Sequence, residues 1–424
     1  MAAKVFETGI ISWKVVQSFP LKLYHLLHNL RKEEFIIEDM NVIQHKDNNL
    51  FSETAIVVLA AAAVFLPFII SGIVLISLAI YIIFKKQTRR LILIHEGSKV
   101  LFIFCAFAFF IAAIYKNWIG LLVAFGFTLA FVLGLYLRSV MTRILFERVL
   151  TMVCVLSLMG TVYALVEKFV FPYFNIGSRV NRASAMFFYP NYFGTIISMV
   201  IIICAYKVLT RQGKKWFYYF IASMNVISLY LCESMFAWVE IFLGVAVLLF
   251  LLKMHRLLAI WLLLATFASF IILVLNVNII PRLYQAEVTT EIRFDIWDFA
   301  IKQIMKAPLL GHGFMSYMYT DADQHLGYLV PHSHSIILEL LMDFGIVGTV
   351  LFLWYFVKYT ITLVKTFINE KKTRITSLIF AISAAALVHG LADLTLMWIQ
   401  TLPLFLFILA GLGAYEKKIE TEVV

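Results

Sequence analysis

The sequence predicts an all-α polytopic membrane protein, and three observations carry this prediction. Apolar residues make up 62% of the chain, and the mean hydropathy is +0.93. Charged residues make up 14%, against about 25% in soluble domains. The apolar residues fall in long runs separated by short basic connectors, and a run of about 20 apolar residues can cross a bilayer. Because a chain in lipid must satisfy its backbone hydrogen bonds internally, these runs are predicted to be helices.

The net charge of +10 does not indicate a nucleic-acid partner. Lysines and arginines lie in the short loops between apolar runs, as the positive-inside rule expects of cytoplasmic loops. The four cysteines lie inside apolar runs without the spacing of a zinc site. The sequence contains no Walker A motif and no Asp-rich metal motif. We therefore predict no metal and no nucleic acid, and a protein whose immediate surroundings are the lipid bilayer.

The first 53 residues are mixed and polar, and we assign them to a cytoplasmic or interfacial N-terminal segment. Residues 21–32 combine helical periodicity with basic side chains, which suits a helix on the membrane surface or a plain solvated helix. Residues 54–84 form an apolar run interrupted by Pro67. This run is either a helical hairpin or one kinked helix, and we favour the hairpin.

Ten further spans follow, and every basic cluster between them falls on one side of the membrane. The predicted spans are 101–115, 119–137, 149–170, 190–209, 216–232, 236–252, 257–276, 335–357, 376–392 and 397–414. With a hairpin at 54–84 the count is about 12, and with one kinked helix it is 11. The predicted layout is transmembrane helices 1–9 over 54–276, one large extracytoplasmic loop with short helices over 277–334, and helices 10–12 with a short cytoplasmic tail over 335–424.

The long loop holds an arginine on a predicted helix. Thr290 is a plausible N-cap, and Pro308 with the following glycines ends the helix. Arg293, Trp297, Ala300 and Ile301 share one helix face. An apolar face with one arginine indicates a helix lying on the bilayer or on the span bundle. Alternatively, Arg293 reaches lipid headgroups or pairs with a neighbouring carboxylate.

His334 lies where the loop becomes a membrane span. A helix N-terminus disfavours a positive charge, so it favours a neutral imidazole that can act as a general base. The alternative is an interfacial histidine without a chemical role. Glu339 and Asp343 follow at a spacing of four on the same span, and charges inside spans commonly face the bundle interior.

A second outer loop holds Arg179 and Arg182, where the positive-inside rule disfavours positive charge. Two arginines at this face suit a phosphate, which guanidinium groups bind through paired hydrogen bonds. Lipid-headgroup contact is the alternative. Glu240, His389 and Asp393 are the remaining polar residues in or near spans, and any of them may be an interhelical hydrogen-bonding group.

Three stretches together resemble the bacterial O-antigen ligase and O-antigen polymerase family. They are Arg293-x-x-x-Trp297, then Pro308-Leu-Leu-Gly311-His-Gly313, then His334 followed by a span with Gly345 and Gly348. The resemblance covers about residues 280–350. Weaker support comes from Arg182 followed by Pro190-Asn191 and from the hairpin with His389 and Asp393.

This chain departs from the family pattern at two places. It has Ser335 after His334 where the family often has Asn. The family often has Ser-Arg-Gly at the outer end of a middle span, and here Ser234 is followed by Met235 and Phe236. If that arginine helps members of the family to hold their glycan donor, another residue must replace it in this chain.

The resemblance implies a glycosyltransferase of cell-surface polysaccharide assembly in the bacterial inner or plasma membrane. Its donor would be a polyprenyl-diphosphate-linked glycan, and its acceptor a sugar hydroxyl on another glycan or lipid-linked molecule. It implies no nucleotide sugar, no metal and no other cofactor. Polymerisation is slightly favoured over ligation. A lipid-linked oligosaccharide flippase and a non-enzymatic scaffold are the alternatives.

The same resemblance implies roles for particular residues. His334 would be the base or would orient the acceptor hydroxyl, and Arg293 would stabilise charge on the diphosphate. The expected substrate-binding residues are Arg182, Arg179, Asn191, Trp297, Gly311, Gly313 and Glu339.

Overall fold

The computed structural model describes residues 52–95, 97–174, 182–275, 280–320, 322–327, 330–369 and 374–416. Helix accounts for 82% of these residues, and no strand occurs among them. The predicted all-α fold is therefore confirmed. The N-terminal segment, including the helix predicted over residues 21–32, lies outside the described residues, and so does Arg179.

Fifteen α-helices follow one another along the described ranges. They are α1 Glu53–Ala63, α2 Phe68–Phe84, α3 Lys86–Ile94, α4 Ser98–Ile114, α5 Trp118–Val140, α6 Arg143–Phe169, α7 Pro190–Leu209, α8 Lys215–Cys232, α9 Met235–Leu251, α10 His255–Leu275, α11 Ala286–Lys306, α12 Ala322–Leu326, α13 Ile336–Asn369, α14 Ile375–Gly390 and α15 Thr401–Ala410. Short 3₁₀ turns lie between several of them, including Leu283–Gln285 immediately before α11.

Five of the described helices are long and apolar enough to cross a membrane: α5, α6, α7, α10 and α13. A sixth candidate arises if α2 and α3, which meet at an angle of 90°, form one broken span. The chain is thus an integral membrane protein. The count of about 12 spans and the side of the membrane on which the loop lies remain predictions.

The apolar run 54–84 is broken where the sequence predicted a break. Helix α1 ends at Ala63 and α2 begins at Phe68, directly after Pro67. Proline has no backbone N–H and its ring clashes with the preceding turn, so it suits the start of a helix and not its interior. The Phe68 N–H instead donates to the Met186 carbonyl at 3.1 Å, which ties this break to the loop before α7.

Helix α7 lies at the centre of the bundle, with 83% of its apolar window buried. It packs against α8 and α9, and α9 packs in turn against α14. Helix α10 contacts α9 and has an otherwise exposed apolar window. A central, fully packed helix gives its N-terminal residues fixed positions, and these residues reach the site described below.

Helix α13 is interrupted at Gly345, whose backbone has φ +59° and ψ −166°. The segment Pro308–Gly313 occupies this break. His312 and Gly313 donate backbone N–H groups to the carbonyls of Met342 and Asp343, at 3.0 and 2.7 Å. In the other direction, Ile346 and Val347 donate to Pro308 and Leu309, at 2.9 and 3.0 Å. The loop therefore satisfies backbone groups that the helix break would leave unpaired.

The loop helix α11 begins earlier than the sequence predicted. Gln285 precedes its first residue, so Thr290 lies within the helix and the N-cap prediction was wrong. The 3₁₀ turn Leu283–Gln285 leads directly into α11, which removes the need for a cap at Thr290. Ala300 is buried, but Ile301 is 50% exposed, so the apolar face is rotated from the predicted one. The face that packs carries Ile296, Phe299 and Ala300.

Candidate active site

One cavity of about 150 Å³ lies where the loop helix α11 meets the ends of α7, α8, α9 and α14. Three arginines line it: Arg182, Arg282 and Arg293. The other lining residues are Tyr189, Asn191, Glu233, Ser234, Met235, Phe236, Thr289, Ile292, Ile296, His334 and His389. Helices α7 and α9 begin at this wall, and the positive ends of their dipoles add to the arginine charge. The cavity is suited to an anion.

Arg182 is fixed by hydrogen bonds to its surroundings. Its Nε donates to the Cys232 carbonyl at 3.0 Å, and one terminal nitrogen donates to the Glu233 carbonyl at 3.3 Å. The same nitrogen donates to Asn191 Oδ1 at 2.6 Å. The guanidinium also lies 5.8 Å from the Tyr189 ring centroid. Arg182 is thus held by carbonyl oxygens and an amide, so its positive charge remains available to a ligand.

Arg293 is held on an aromatic ring and not by an acid. Its guanidinium carbon lies 4.8 Å from the centroid of the Phe236 ring, within the range of a cation–π interaction. No hydrogen bond or ion pair of its guanidinium occurs within the described ranges. Five N–H donors at the wall of a cavity can therefore be directed at a bound anion.

Arg282 projects from the turn before α11. Its backbone is left-handed, with φ +64°, and its Nε donates to Gln285 Oε1 at 2.8 Å. No motif or spacing in the sequence marks Arg282 as a site residue. Its position between a predicted span and the loop helix gave no sign that it faces Arg182 and Arg293.

His334 belongs to a hydrogen-bonded chain that starts at Arg182. Asn191, which accepts from Arg182, donates through Nδ2 to Asp393 Oδ2 at 2.7 Å. The other carboxylate oxygen, Oδ1, lies 3.0 Å from His334 Nδ1 and accepts the backbone N–H of Leu394 at 2.8 Å. With its Nδ1–H directed at Asp393, the ring keeps Nε2 as its acceptor.

The segment around His334 is fixed in an uncommon backbone conformation. His334 has φ +51°, and its backbone N–H donates to His332 Nδ1 at 3.2 Å. Ser333 on the same segment donates its N–H to Glu339 Oε2 at 2.7 Å. A non-glycine residue with positive φ is uncommon and must be held by its surroundings. Glu339 and His332 therefore position the His334 ring, and neither of them lines the cavity.

Two groups in the loop regions have shifted pKa values that fix their charges. Burial alone would raise the pKa of Asp393, but the hydrogen bond from His334 and the charges of the nearby histidines outweigh it, so this pKa lies below its usual range. Burial, followed by the charge of His334, lowers the pKa of His332 to about 4. At neutral pH, Asp393 is a carboxylate and His332 is a neutral hydrogen-bond acceptor.

The pKa values of two of the arginines are lowered by their surroundings. Burial is the main cause that lowers the pKa of Arg182 and of Arg293. The charge of Asp393 partly offsets it at Arg293, and the charge of Arg282 lowers both pKa values further. The nearest acid in the wall, Glu233, lies 3.6 Å from Lys168 and is thus already paired. The cavity therefore has an excess of positive charge.

His389 and Glu240 form the floor of the site. Both side chains are buried, with His389 Nδ1 3.0 Å from Glu240 Oε1 and 3.2 Å from the Thr195 hydroxyl. The His389 ring is stacked on Phe236 at 5.8 Å. This floor supports the ring that carries Arg293.

The predicted site residues are thus divided between the cavity and its supports. Arg182, Asn191, Arg293 and His334 line the cavity. Gly311, Gly313, Trp297 and Glu339 do not line it. The two glycines lie in the break of α13, where a Cβ on Gly311 would come within 2.4 Å of the Phe344 nitrogen. The substrate contacts predicted for these four residues remain predictions.

Trp297 lies in an apolar environment, whereas the two glycines lie in the break of α13. Trp297 packs against the cluster formed by Ile296, Phe299, Ala300 and Met342. Its buried indole N–H has no hydrogen-bond acceptor among the described residues.

Three residues with a place in the site were not selected from the sequence: Arg282, Phe236 and Asp393. In the sequence, Asp393 is recognisable only as a polar residue near an outer turn. Its partner His334 lies 59 residues away. Phe236 was seen only as a departure from the family pattern.

A metal ion could also be considered at His332, His334 and Asp393, whose ligand atoms lie within 4.8 Å of one another. However, His334 Nδ1 faces Asp393, and His332 Nδ1 accepts the His334 N–H. These contacts use Nδ1 of both histidines and one oxygen of Asp393, so the three side chains are already joined to one another without a cation. The absence of a metal remains a prediction.

The fold and the cavity define an integral membrane protein with a concentrated positive site beside a histidine–aspartate pair. Residues 220–353 match the sequence model of the family described as O-Antigen ligase. The resemblance to the O-antigen ligase family is therefore confirmed, and this family supports a role in polysaccharide assembly. The matched segment contains Arg282, Arg293 and His334. No curated protein matches the chain.

Proposed function

We propose that this protein is an extracytoplasmic glycosyltransferase that moves a glycan from a polyprenyl diphosphate carrier to a sugar hydroxyl. The main observation is the cavity in which three arginines lie beside the His334–Asp393 pair. A diphosphate matches several guanidinium groups and two helix N-termini. A general base within the same cavity would serve an acceptor hydroxyl.

The proposed reaction is a single displacement at the anomeric carbon of the donor. The acceptor hydroxyl oxygen forms a bond to this carbon, and its proton passes to His334 Nε2. The bond from the anomeric carbon to the phosphate oxygen breaks, and polyprenyl diphosphate leaves with its electron pair. Asp393 orients the ring and stabilises the imidazolium that forms, as a buried carboxylate beside a catalytic histidine does.

The arginines act on the leaving group. The diphosphate gains one negative charge as the glycosidic bond breaks, and fixed guanidinium groups stabilise that charge at no cost of reorganisation. Arg293 forms no ion pair with an acid among the described residues, so its N–H groups can be directed at the ligand. Removal of one such contact typically costs on the order of 3 kcal/mol of transition-state stabilisation.

Within this chemistry, we slightly favour polymerisation of lipid-linked units over ligation. The two reactions share the donor chemistry and differ in the acceptor. The membrane would be the bacterial inner or plasma membrane, with the loop on its extracytoplasmic side.

The test is to replace His334 and Arg293 separately by alanine in the native host and to separate the cell-surface glycan on a gel. We expect long glycan to disappear while short lipid-linked units accumulate, with both variants inserted in the membrane at normal levels. Loss of a ladder indicates polymerisation, whereas loss of a capped core indicates ligation. Lys302→Ala on the exposed face of α11 is the matched control.

An unchanged glycan pattern in both alanine variants would refute the proposed chemistry. A flippase is then favoured if lipid-linked units fail to reach the outer leaflet in a deletion strain. Equal loss in Lys302→Ala would show a general defect of the loop and would also contradict the assignment.

A further inference from the structure

The cavity wall formed by Ser234, Met235 and Phe236 supplies no side-chain charge, although α9 begins there. The family that the sequence resembles often has an arginine at the place of Met235. Across the same cavity lies Arg282, from the turn before α11. The positive charge missing from the wall could thus be supplied by the loop.

Among the described residues, one side-chain hydrogen bond holds Arg282. Its Nε donates to Gln285 Oε1 at 2.8 Å, and no further guanidinium hydrogen bond or ion pair is found in the part of the chain that the structure describes. Both partners belong to one short turn. Both of its terminal nitrogens are therefore available to a ligand, whereas one terminal nitrogen of Arg182 already donates to Asn191 and to the Glu233 carbonyl.

The carboxylates near the cavity are engaged elsewhere. Glu233 lies 3.6 Å from Lys168, and Asp393 accepts from Asn191 and His334. Among the described residues, none of the three guanidinium groups forms an ion pair with a carboxylate. Asp393 and Glu233 act on Arg293 and Arg182 only from a distance, so the three cations repel one another more weakly when an anion joins them. A diphosphate, with at least two negative charges, is a fitting counter-ion.

We propose that Arg282 is a third diphosphate-binding residue, which replaces from the loop the charge that Met235 does not provide on α9. This inference rests on the proposed function, because it assigns a residue to the same donor site. It also means that the donor is held between two separate parts of the chain. One is the fixed pair formed by Arg182 and Asn191, and the other is the turn that leads into α11.

The test measures binding of farnesyl diphosphate, a short analogue of the leaving group, to the purified full-length protein in detergent. We expect Arg282→Ala to weaken binding at least tenfold, equivalent to about 1.4 kcal/mol. We expect the double variant Arg282→Ala with Met235→Arg to recover most of this loss, because it places a guanidinium at the opposite wall. Lys302→Ala is the matched control and should bind as the wild type does.

Farnesyl monophosphate provides a second comparison. If Arg282 contacts the diphosphate, the preference of the wild type for diphosphate over monophosphate should shrink in Arg282→Ala. If Arg282 has a merely structural role, Arg282→Ala should weaken the binding of both ligands by the same factor. That result would overturn the inference.

The outcomes separate this inference from the proposed function. If the wild type binds farnesyl diphosphate and Arg282→Ala binds it within twofold of the wild type, the role of Arg282 is refuted while the donor site stands. A double variant that stays as weak as Arg282→Ala would refute the replacement of charge. If the wild type itself does not bind, the donor site is wrong.

Discussion

Arg293 shows how a charged residue can be kept ready for a ligand. A half-buried guanidinium is normally paired with a carboxylate, since desolvation of an unpaired charge is costly. Here the face of the Phe236 ring takes the place of the carboxylate. Contact with the ring face leaves the N–H groups at the edge of the Arg293 guanidinium free to bind a ligand. A carboxylate partner would hold the side chain more strongly but would cancel the charge that a diphosphate needs.

The Asp393–His334 pair leads to the first prediction. Asp393→Asn should lower kcat for glycan transfer by about 10²-fold or more, with little change in the donor KM. An asparagine is neutral, and it has one acceptor oxygen in place of the two with which Asp393 accepts from Asn191 and His334. It therefore loses either the orientation of the ring or the charge that stabilises imidazolium. The measurement is steady-state transfer by the purified full-length variant.

Asp298→Asn is the matched control, because Asp298 lies on the exposed face of α11 and pairs there with Lys302. This variant should retain wild-type kcat. Comparable activity in Asp393→Asn and the wild type would contradict the role of the pair.

The buried His332 ring makes stability depend on pH. Its pKa of about 4 in the folded protein lies below the ordinary value of 6.5. The unfolded chain therefore binds a proton that the folded one does not, and stability falls as pH drops from about 6.5 to 4, by up to about 3 kcal/mol. His312, whose pKa is also lowered by burial, adds to the same slope. Asp393 contributes only below this window.

His332→Asn keeps an acceptor for the His334 N–H and removes the titration. Thermal unfolding in detergent should therefore become less sensitive to pH between 6.5 and 4 in this variant. An identical pH dependence in the variant and the wild type would show that His332 is not the source of the slope.

Sequence patterns identified some of these residues and missed others for a physical reason. Arg182, Arg293 and His334 stood out because a charge or an imidazole at a membrane boundary is costly and needs an explanation. Asp393 is equally polar, but its partners Asn191 and His334 lie far away in sequence. Arg282 bonds within its own turn, and only the packing of the loop brings it to the same cavity as Arg182. Their roles depend on packing between α7, α11 and α14, which one-dimensional spacing does not contain.

At the scale of elements, most helices begin and end within six residues of the predicted spans, because the apolar runs and basic connectors set their ends. Two differ: α13 continues to Asn369, beyond the predicted end at 357, and α3 lies in a predicted basic connector. The break in α13 did not follow from the sequence. Gly345 lies in a run that reads as one continuous span, with no proline to interrupt it. The break exists because the loop Pro308–Gly313 exchanges backbone hydrogen bonds with it, and such an exchange has no local signature.

Gly345→Ala should destabilise the protein strongly. A Cβ at this position would lie 2.4 Å from the Leu309 carbonyl atoms, and φ is +59°. The loop backbone would have to move, and the backbone strain adds about 1 kcal/mol or more. We expect a loss of about 2–4 kcal/mol, seen as a lower unfolding temperature and weaker transfer. The measurement is thermal unfolding of the purified protein in detergent.

Gly126→Ala is the control for this prediction. Gly126 lies inside α5 with no atom within 4 Å of an added Cβ, so alanine should be neutral or stabilising by up to about 1 kcal/mol. Equal unfolding temperatures for the two variants would contradict the account of the helix break.

For the whole molecule, the predicted orientation can be tested with single cysteines. Lys302, on the exposed face of the loop helix, should react as Cys with a membrane-impermeant maleimide on intact cells. Lys214, exposed between α7 and α8, should react as Cys only after permeabilisation. This expectation follows from the bias of lysine and arginine towards cytoplasmic loops.

The four native cysteines are all buried, so the parent protein should give a low background without further mutation. Labelling of Lys214→Cys on intact cells would reverse the predicted orientation and place the arginine cavity on the cytoplasmic side. The proposed extracytoplasmic chemistry would then be refuted.

The interlocked loop of α13 has a practical consequence for handling this protein. Ile346 and Val347 receive their hydrogen-bond acceptors from Pro308 and Leu309, and an unpaired backbone group in lipid costs several kcal/mol. A water-soluble loop fragment that ends at the bilayer surface would contain Pro308 and Leu309 but would lack Ile346 and Val347. It would therefore lose these hydrogen bonds. Antibodies raised against such a fragment would therefore recognise a shape that the intact enzyme does not display, and immunogens should retain α13 in a membrane mimic.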